Sequence, residues 1–278
     1  MRKRLQLFTV RTAMRTLGRM APERAARLAE RLFTRPPRAA ARPHEDDFLA
    51  TGTPFELPVS AGTLAAWRWG EGPTVLLVHG WASRAARFRV LVPRLVAAGF
   101  SAVAYDGPAH GRSPGQYTSL PEYAAALLEV GQRLGPLHAA VGHSLGGGAI
   151  AVALARGLGL RRAALIAPFA APPEFFDQFA DHVALPPKAR ERLRTNLERR
   201  YKLKYGDLYV PHLAREFTIP ALVVHDRDDA DIPLRYGKAI AEAWPGATFV
   251  RTEGLGHHAI MRDAGVMDQV AAFITDVR

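Results

Sequence analysis

The 278-residue sequence contains no cysteine. That excludes a disulfide framework, a thiol nucleophile, a thiolate metal site and an iron–sulfur cluster. No apolar run approaches the 18 residues of a membrane-spanning helix. HExxH and CxxC patterns are missing and the ten histidines show no metal-ligand spacing, so no metal is expected. Neither GxGxxG nor GxxxxGK(S/T) occurs, which argues against a nucleotide, and no cofactor is expected. Acidic residues are scarce at the start of the chain. Residues 1–42 hold twelve basic side chains against Glu23 and Glu30 alone, a balance of +10, whereas the rest holds 25 basic and 24 acidic ones. The overall charge of +11 therefore describes a basic extension on a nearly neutral body, and nucleic-acid binding by the whole protein is not expected. What is present is ordinary for a globular chain: 48% hydrophobic and 23% charged residues, in a length that suits one large domain or two small ones.

Residues 5–20 have helical spacing. Leu7, Val10, Ala13, Met14, Leu17 and Met20 share one face, and Arg4, Arg11, Arg15 and Arg19 another, with Phe8 near the basic face. Pro22 suits the first turn of a second helix running to about Phe33, and Pro36, Pro37 and Pro43 make a linker. Arg11 and Arg15 interrupt any secretory h-region. A basic amphipathic helix is suited to an anionic membrane surface. The alternative is that its apolar face packs on the body and its arginines are solvated. The expected location is cytoplasmic, with peripheral membrane contact through residues 1–42 under the first reading.

From residue 55 strands and helices alternate. Phe55–Ser60 and Leu64–Trp69 flank a hairpin signal at Ala61-Gly62. The strand signals that follow are Thr74–His79, Phe100–Tyr105, Leu137–Val141, Arg162–Ile166, Ala221–His225 and Thr248–Thr252. Helical spacing lies between them at Phe88–Ala98, Pro121–Leu134, Leu145–Leu158 and Ala239–Trp244, and after the last strand at Val266–Val277. Short apolar strands separated by helices predict an α/β fold: a mostly parallel sheet, helices on both faces and an antiparallel start at one edge. Ala171–Phe217 is too long for a crossover and reads as a helical cap over the carboxyl ends of the strands. The expected organisation is a basic helical extension over 1–42, a core over 43–170 and 218–278, and a cap over 171–217.

Gly142-His143-Ser144-Leu145-Gly146 is G-x-S-x-G between a strand and a helix, the context of a nucleophile elbow. A serine hydroxyl needs a base to act near neutral pH, and the base needs an orienting carboxylate. Carboxylates crowd the loop after Ala221–His225, at Asp226, Asp228, Asp229 and Asp231. His257 and His258 follow Thr248–Thr252, and only one of the two can point at Ser144. His79, His110 and His143 are expected to make structural hydrogen bonds within turns, and Asp106 to hold its loop by accepting backbone N–H bonds. Phe175, Phe176, Phe179 and Val183 sit at helical spacing in the cap. Either they line a substrate pocket or they anchor the cap.

From about Pro54 onward the chain resembles the α/β-hydrolase superfamily of serine esterases and lipases. The matching motifs are His79-Gly80-Trp81, Asp106-Gly107-Pro108-Ala109-His110-Gly111-Arg112-Ser113, the elbow itself, Asp229-Ala230-Asp231-Ile232-Pro233 and Gly256-His257. The resemblance implies Ser144 as nucleophile, Asp229 as acid and His257 as base. It also implies an oxyanion hole from the backbone N–H groups of Trp81 and Leu145. It further implies a small-molecule substrate, first a carboxylic ester, with thioesters, amides, lactones and carbon–carbon bonds as alternatives. A non-catalytic or slow-turnover ligand receptor on the same fold is the reading from another class.

Overall fold

A computed structural model describes the backbone of residues 2–38 and 40–276, and the side chains of 8–38 and 40–276. The side chains of Arg4 and Leu7 and the expected helix end at Val277 lie outside the described residues. The chain forms two compact units, one of residues 1–35 with 171–209, the other of 36–170 with 210–278. In chain order the elements begin with α1 (Arg2–Met20), α2 (Pro22–Thr34) and α3 (Pro43–Ala50). They continue with β1 (Thr53–Val59), β2 (Gly62–Trp69), β3 (Thr74–Val78), α4 (Val92–Ala97), β4 (Ser101–Tyr105), α5 (Leu120–Leu134), β5 (Leu137–His143), α6 (Leu145–Leu154) and β6 (Arg162–Ile166). The helices α7 (Pro172–His182), α8 (Pro187–Tyr201) and α9 (Val210–Ala214) lead to β7 (Ala221–Asp226), α10 (Leu234–Ala243), β8 (Ala247–Thr252), α11 (Gly256–Ala259) and α12 (Ala264–Thr275).

The second unit is built on an eight-stranded sheet in the order β1-β2-β4-β3-β5-β6-β7-β8. The first two strands run antiparallel, and β4 through β8 are parallel. This is the expected α/β architecture. Strands β3 to β7 are buried along their whole length, as their unbroken apolar runs require. Alternate strand residues such as Val75, Leu77, Val141 and Val224 join one core with Leu95 of α4 and with Met267 and Ile274 of α12. All the loops that carry the expected chemistry leave the carboxyl ends of β3, β4, β5, β7 and β8, where open α/β sheets place their ligands. Pro43, read in the sequence as part of a linker, instead starts α3, because proline lacks only an N–H that the first turn does not use. Arg38 fastens the preceding segment to the Gly111–Gly115 loop by donating to the carbonyls of Ser113 at 2.7 Å and Gly115 at 2.8 Å.

The first unit is entirely helical. Met14, Ala25, Ala26, Ala29, Phe176, Leu193 and Leu197 form its core. The small residues of α2 let it lie close to α8, and Phe33 packs on Phe176 and Phe179 with ring centroids 6.2 and 4.9 Å away. On α1 the expected apolar face turns inward at Val10, Met14 and Leu17, but Met20 is 81% exposed and Ala13 is exposed too. The N-terminal helices and the insertion, expected as separate segments, are thus one packed unit. Its bounds are 35 rather than 42, and 209 rather than 217. Arg38 ties 36–42 to the sheet unit, and the Val210 N–H donates to the Ala170 carbonyl at 2.9 Å, which places α9 there as well. The helical unit holds eighteen basic and eight acidic residues, a balance of +10 that leaves +1 for the sheet unit.

Candidate active site

The β5–α6 turn places Ser144 at φ 54° and ψ −122°, a strained conformation for a residue with a Cβ. The surroundings over-determine it. The Ser144 N–H donates to the Ile166 carbonyl at 3.0 Å, and its own carbonyl accepts from Gly147 and Phe169, each at 3.0 Å. Two glycines permit the close approach. A Cβ on Gly146 would lie 2.0 Å from the Val78 carbonyl oxygen. A Cβ on Gly80 would lie 2.8 Å from Ser144 Cβ and 3.3 Å from its Oγ, so the His79-Gly80-Trp81 turn runs directly against the serine side chain. Leu145 is the first residue of α6, where a helix offers unpaired N–H groups and the positive end of its dipole. Among the described residues neither the Trp81 nor the Leu145 N–H has a backbone acceptor in a turn or loop.

Asp229 leaves the end of β7 with its side chain fully buried. Oδ1 accepts from the N–H groups of Asp231 at 2.9 Å and Ile232 at 2.7 Å, and Oδ2 accepts from His257 Nδ1 at 2.8 Å. Burial raises the carboxyl pKa, but the hydrogen bonds from His225, His257 and Ile232 outweigh it and hold Asp229 well below the usual carboxylate range. The Asp229 bond fixes a proton on His257 Nδ1 and leaves Nε2 as the basic nitrogen. Of the crowded carboxylates, Asp229 is the one joined to a histidine of the 257–258 pair inside the protein. Asp226 instead accepts from Thr252 Oγ1 at 2.7 Å and Leu255 N at 3.1 Å, tying the loop after β7 to the loop that carries His257. His258 points outward, with Nε2 3.3 Å from Asp231 and Nδ1 2.7 Å from Arg87. The His143 ring packs on that of His257 with centroids 4.7 Å apart, and His143 Nε2 donates to the His257 carbonyl at 2.9 Å. The residue before Ser144 thereby holds His257 beside the elbow. Among the described residues no hydrogen bond joins Ser144 Oγ to His257; such contacts commonly tighten only with substrate bound.

Asp106, His79 and His110 make the expected structural hydrogen bonds, but the two rings also bridge separate loops, and His143 bonds across to His257 rather than within its own turn. His79 Nδ1 donates to the Gly80 carbonyl at 2.7 Å, and its Nε2 accepts from Gly107 N at 2.9 Å. His110 Nδ1 donates to Pro108 O at 2.9 Å while Nε2 accepts from Ala82 N at 3.1 Å. Burial lowers His79 to about 4 and His110 to about 3. Burial likewise holds His143 well below its ordinary value. Asp106 accepts from Ala85 N at 2.8 Å and Arg112 N at 2.7 Å. The pocket expectation needs correction. Phe176 and Val183 are buried in the core of the helical unit and Phe179 packs against it, so their apolar surface is already covered there; Phe175 is half-buried. Sequence reasoning missed His225, whose Nε2 donates to the Ile232 carbonyl at 2.9 Å and lies 3.4 Å from Asp229 Oδ2. A histidine at the carboxyl end of a buried strand, four residues before Asp229, was the available signal.

Residues 75–272 match the model of the alpha/beta hydrolase family, and the chain belongs to that family. A serine hydrolase-like protein of Danio rerio is 37% identical over 100 residues, 34% of this chain and 30% of that one. A non-heme haloperoxidase of Rhodococcus erythropolis is 32% identical over 151 residues, 51% of this chain and 54% of that one. The matched parts span about a third to a half of these curated relatives. Among solved structures, an esterase from Exiguobacterium antarcticum superposes with a TM-score of 0.63 at 16% identity, over 81% of this chain and 100% of that one. At that identity the likeness establishes the fold.

Proposed function

We propose that the protein hydrolyses carboxylic esters through an acyl-enzyme on Ser144. His257 Nε2 takes the hydroxyl proton as Ser144 Oγ attacks the carbonyl carbon, and the Trp81 and Leu145 N–H groups hold the oxyanion. His257 then gives that proton to the departing alkoxide. A water molecule, deprotonated by the same nitrogen, attacks the acyl carbon and releases the acid, with the proton returning to Ser144. Asp229 stays ionised throughout, fixes the imidazole tautomer and stabilises the imidazolium. Removing one oxyanion donor in such sites typically costs on the order of 10²–10³ in rate.

The observation that carries this reading is the buried Asp229–His257 pair at 2.8 Å, held by His143, the residue that precedes a serine in strained elbow geometry. A serine that only shaped a turn would need neither a buried carboxylate–imidazole pair at its side nor a glycine turn pressed against its Cβ. The same geometry also serves thioesters, amides and lactones, whose leaving groups can take the same single proton from His257; a simple carboxylic ester is the substrate that tests the chemistry most directly. The test is p-nitrophenyl ester turnover together with labelling by a fluorophosphonate probe. Both are expected in the intact protein and lost in Ser144→Ala. A Ser144→Ala protein that still turns over ester, or an intact protein that takes no label, overturns the assignment.

A further inference from the structure

The helical unit carries almost all of the protein's excess charge, and four of its arginines gather at a cleft. Arg11, Arg15 and Arg19 lie one turn apart along α1. With Arg190 of α8 and Asp181 of α7 they line an open cleft of about 420 Å³ beside Pro186. Two of the four guanidinium groups are engaged. Arg11 donates to the last carbonyls of α7, at 2.9 Å to His182 and 3.3 Å to Asp181, and Arg190 pairs with the Asp181 carboxylate. Among the described residues Arg15 and Arg19 have no hydrogen-bond or ion-pair partner, and both are exposed. Arg190 also lies 3.8 Å from the Asp177 carboxylate, so four cations meet two carboxylates, an excess that an anion with several acceptor oxygens would correct.

The exposed apolar side chains are distributed just as unevenly. Of the six large hydrophobic side chains exposed among the described residues, Phe8, Met20, Leu28 and Leu32 are on α1 and α2. Phe8, 67% exposed, stands three residues before Arg11 and two turns before Arg15, on the arginine stripe itself. A soluble polyanion or nucleic acid offers phosphates but gives Phe8 nothing apolar to enter. A bilayer surface offers both: headgroup phosphates at the level of the arginines and acyl chains just beneath.

We propose that the helical unit docks on anionic lipid bilayers, with the cleft of Arg11, Arg15, Arg19 and Arg190 seating a lipid phosphate and Phe8 entering the acyl boundary. The test is co-sedimentation of the full chain with phosphatidylcholine vesicles and with phosphatidylcholine–phosphatidylglycerol vesicles. Binding is expected to the anionic vesicles and to weaken with salt. Arg15→Gln with Arg19→Gln should lower affinity about 25-fold, about fivefold for each arginine at the surface. Phe8→Ser should lower it about tenfold. Both changes are at exposed positions, and an unaltered thermal midpoint verifies that the variants fold. Equal sedimentation with neutral and anionic vesicles, or an arginine variant that binds like the intact chain, overturns the proposal. So does arginine-dependent binding of inorganic phosphate or duplex DNA without vesicle binding. Vesicle binding indifferent to Phe8→Ser also overturns it, leaving a simple polyanion site.

Discussion

Lowering the pH from 7.5 to 5 is expected to remove about 4 kcal/mol of folding stability, through His79 and His110. Both imidazoles are buried and neutral, each with one nitrogen donating to a carbonyl and the other accepting a backbone N–H. Burial lowers the folded pKa to about 4 for His79 and about 3 for His110, against roughly 6.5 in the unfolded chain. As pH falls below that unfolded value the unfolded chain takes the proton first. The stability each group contributes is complete above about 6.5 and is lost progressively down to its folded pKa. At about pH 5 the loss is roughly 2 kcal/mol for each. His143, also held low by burial, adds to it with the same sign. Asp106, raised by burial, acts in the opposite direction, because there the folded protein binds the proton first. Asp226 and Asp229 are held low and lose their contribution only below the usual carboxylate range, outside this window. The assay is urea denaturation at matched ionic strength across pH 5 to 7.5. About 4 kcal/mol is a large share of a typical total of about 5–15 kcal/mol. His79→Gln should be destabilised at every pH, yet lose about one proton from the slope of stability against pH. A stability that changes by less than about 1 kcal/mol between the two pH values, or a His79→Gln slope like that of the intact chain, refutes the reasoning.

Asp229→Asn presents an amide N–H to His257 Nδ1, so the ring must expose the wrong tautomer to Ser144; kcat for ester turnover should fall on the order of 10⁴ while the fold stays intact. A loss of less than tenfold would dismiss Asp229 as the orienting acid. Gly80→Ala puts a methyl group 3.3 Å from Ser144 Oγ and should slow both turnover and fluorophosphonate labelling about 10²-fold, since a displacement near 1 Å can cost that much. Labelling at the intact rate would show that the serine has room to spare. Leu197→Ala empties part of the core shared by the N-terminal helices and the insertion, and should destabilise the helical unit by about 2–5 kcal/mol in thermal unfolding. An unchanged midpoint would mean that those segments do not fold together.

Local signals made much of this molecule legible before its coordinates. Apolar runs such as Thr74–His79 and Arg162–Ile166 marked the buried strands, the first one residue too long, and the glycines about Ser144 marked the turn. The crowding of four aspartates after β7 was harder, since every one suits a turn. Only the family resemblance singled out Asp229; in the structure Asp229 is aimed at His257, while Asp226 grips the neighbouring loop. His225 and His143 escaped notice as partners of the site because their roles depend on which strand lies next to which. The same holds for Phe176 and Phe179. Their spacing marks an apolar helix face, but its partner is Phe33, more than a hundred residues earlier, and no local pattern records that pairing. Met20 shows the reverse error: it falls on the apolar side of the helical wheel, yet α1 ends there and nothing packs over it.

The single bond from the Val210 amide to the Ala170 carbonyl brings the start and finish of a long excursion side by side. A graft made at those two positions leaves the pairing of β6 with β7 untouched, so this fold can trade its insertion as a module. Here the trade has a condition attached. Because α1 and α2 share their interior with α7 and α8, any swap that replaces 171–209 strands the first 35 residues with bare apolar flanks, and a viable exchange has to move both stretches together.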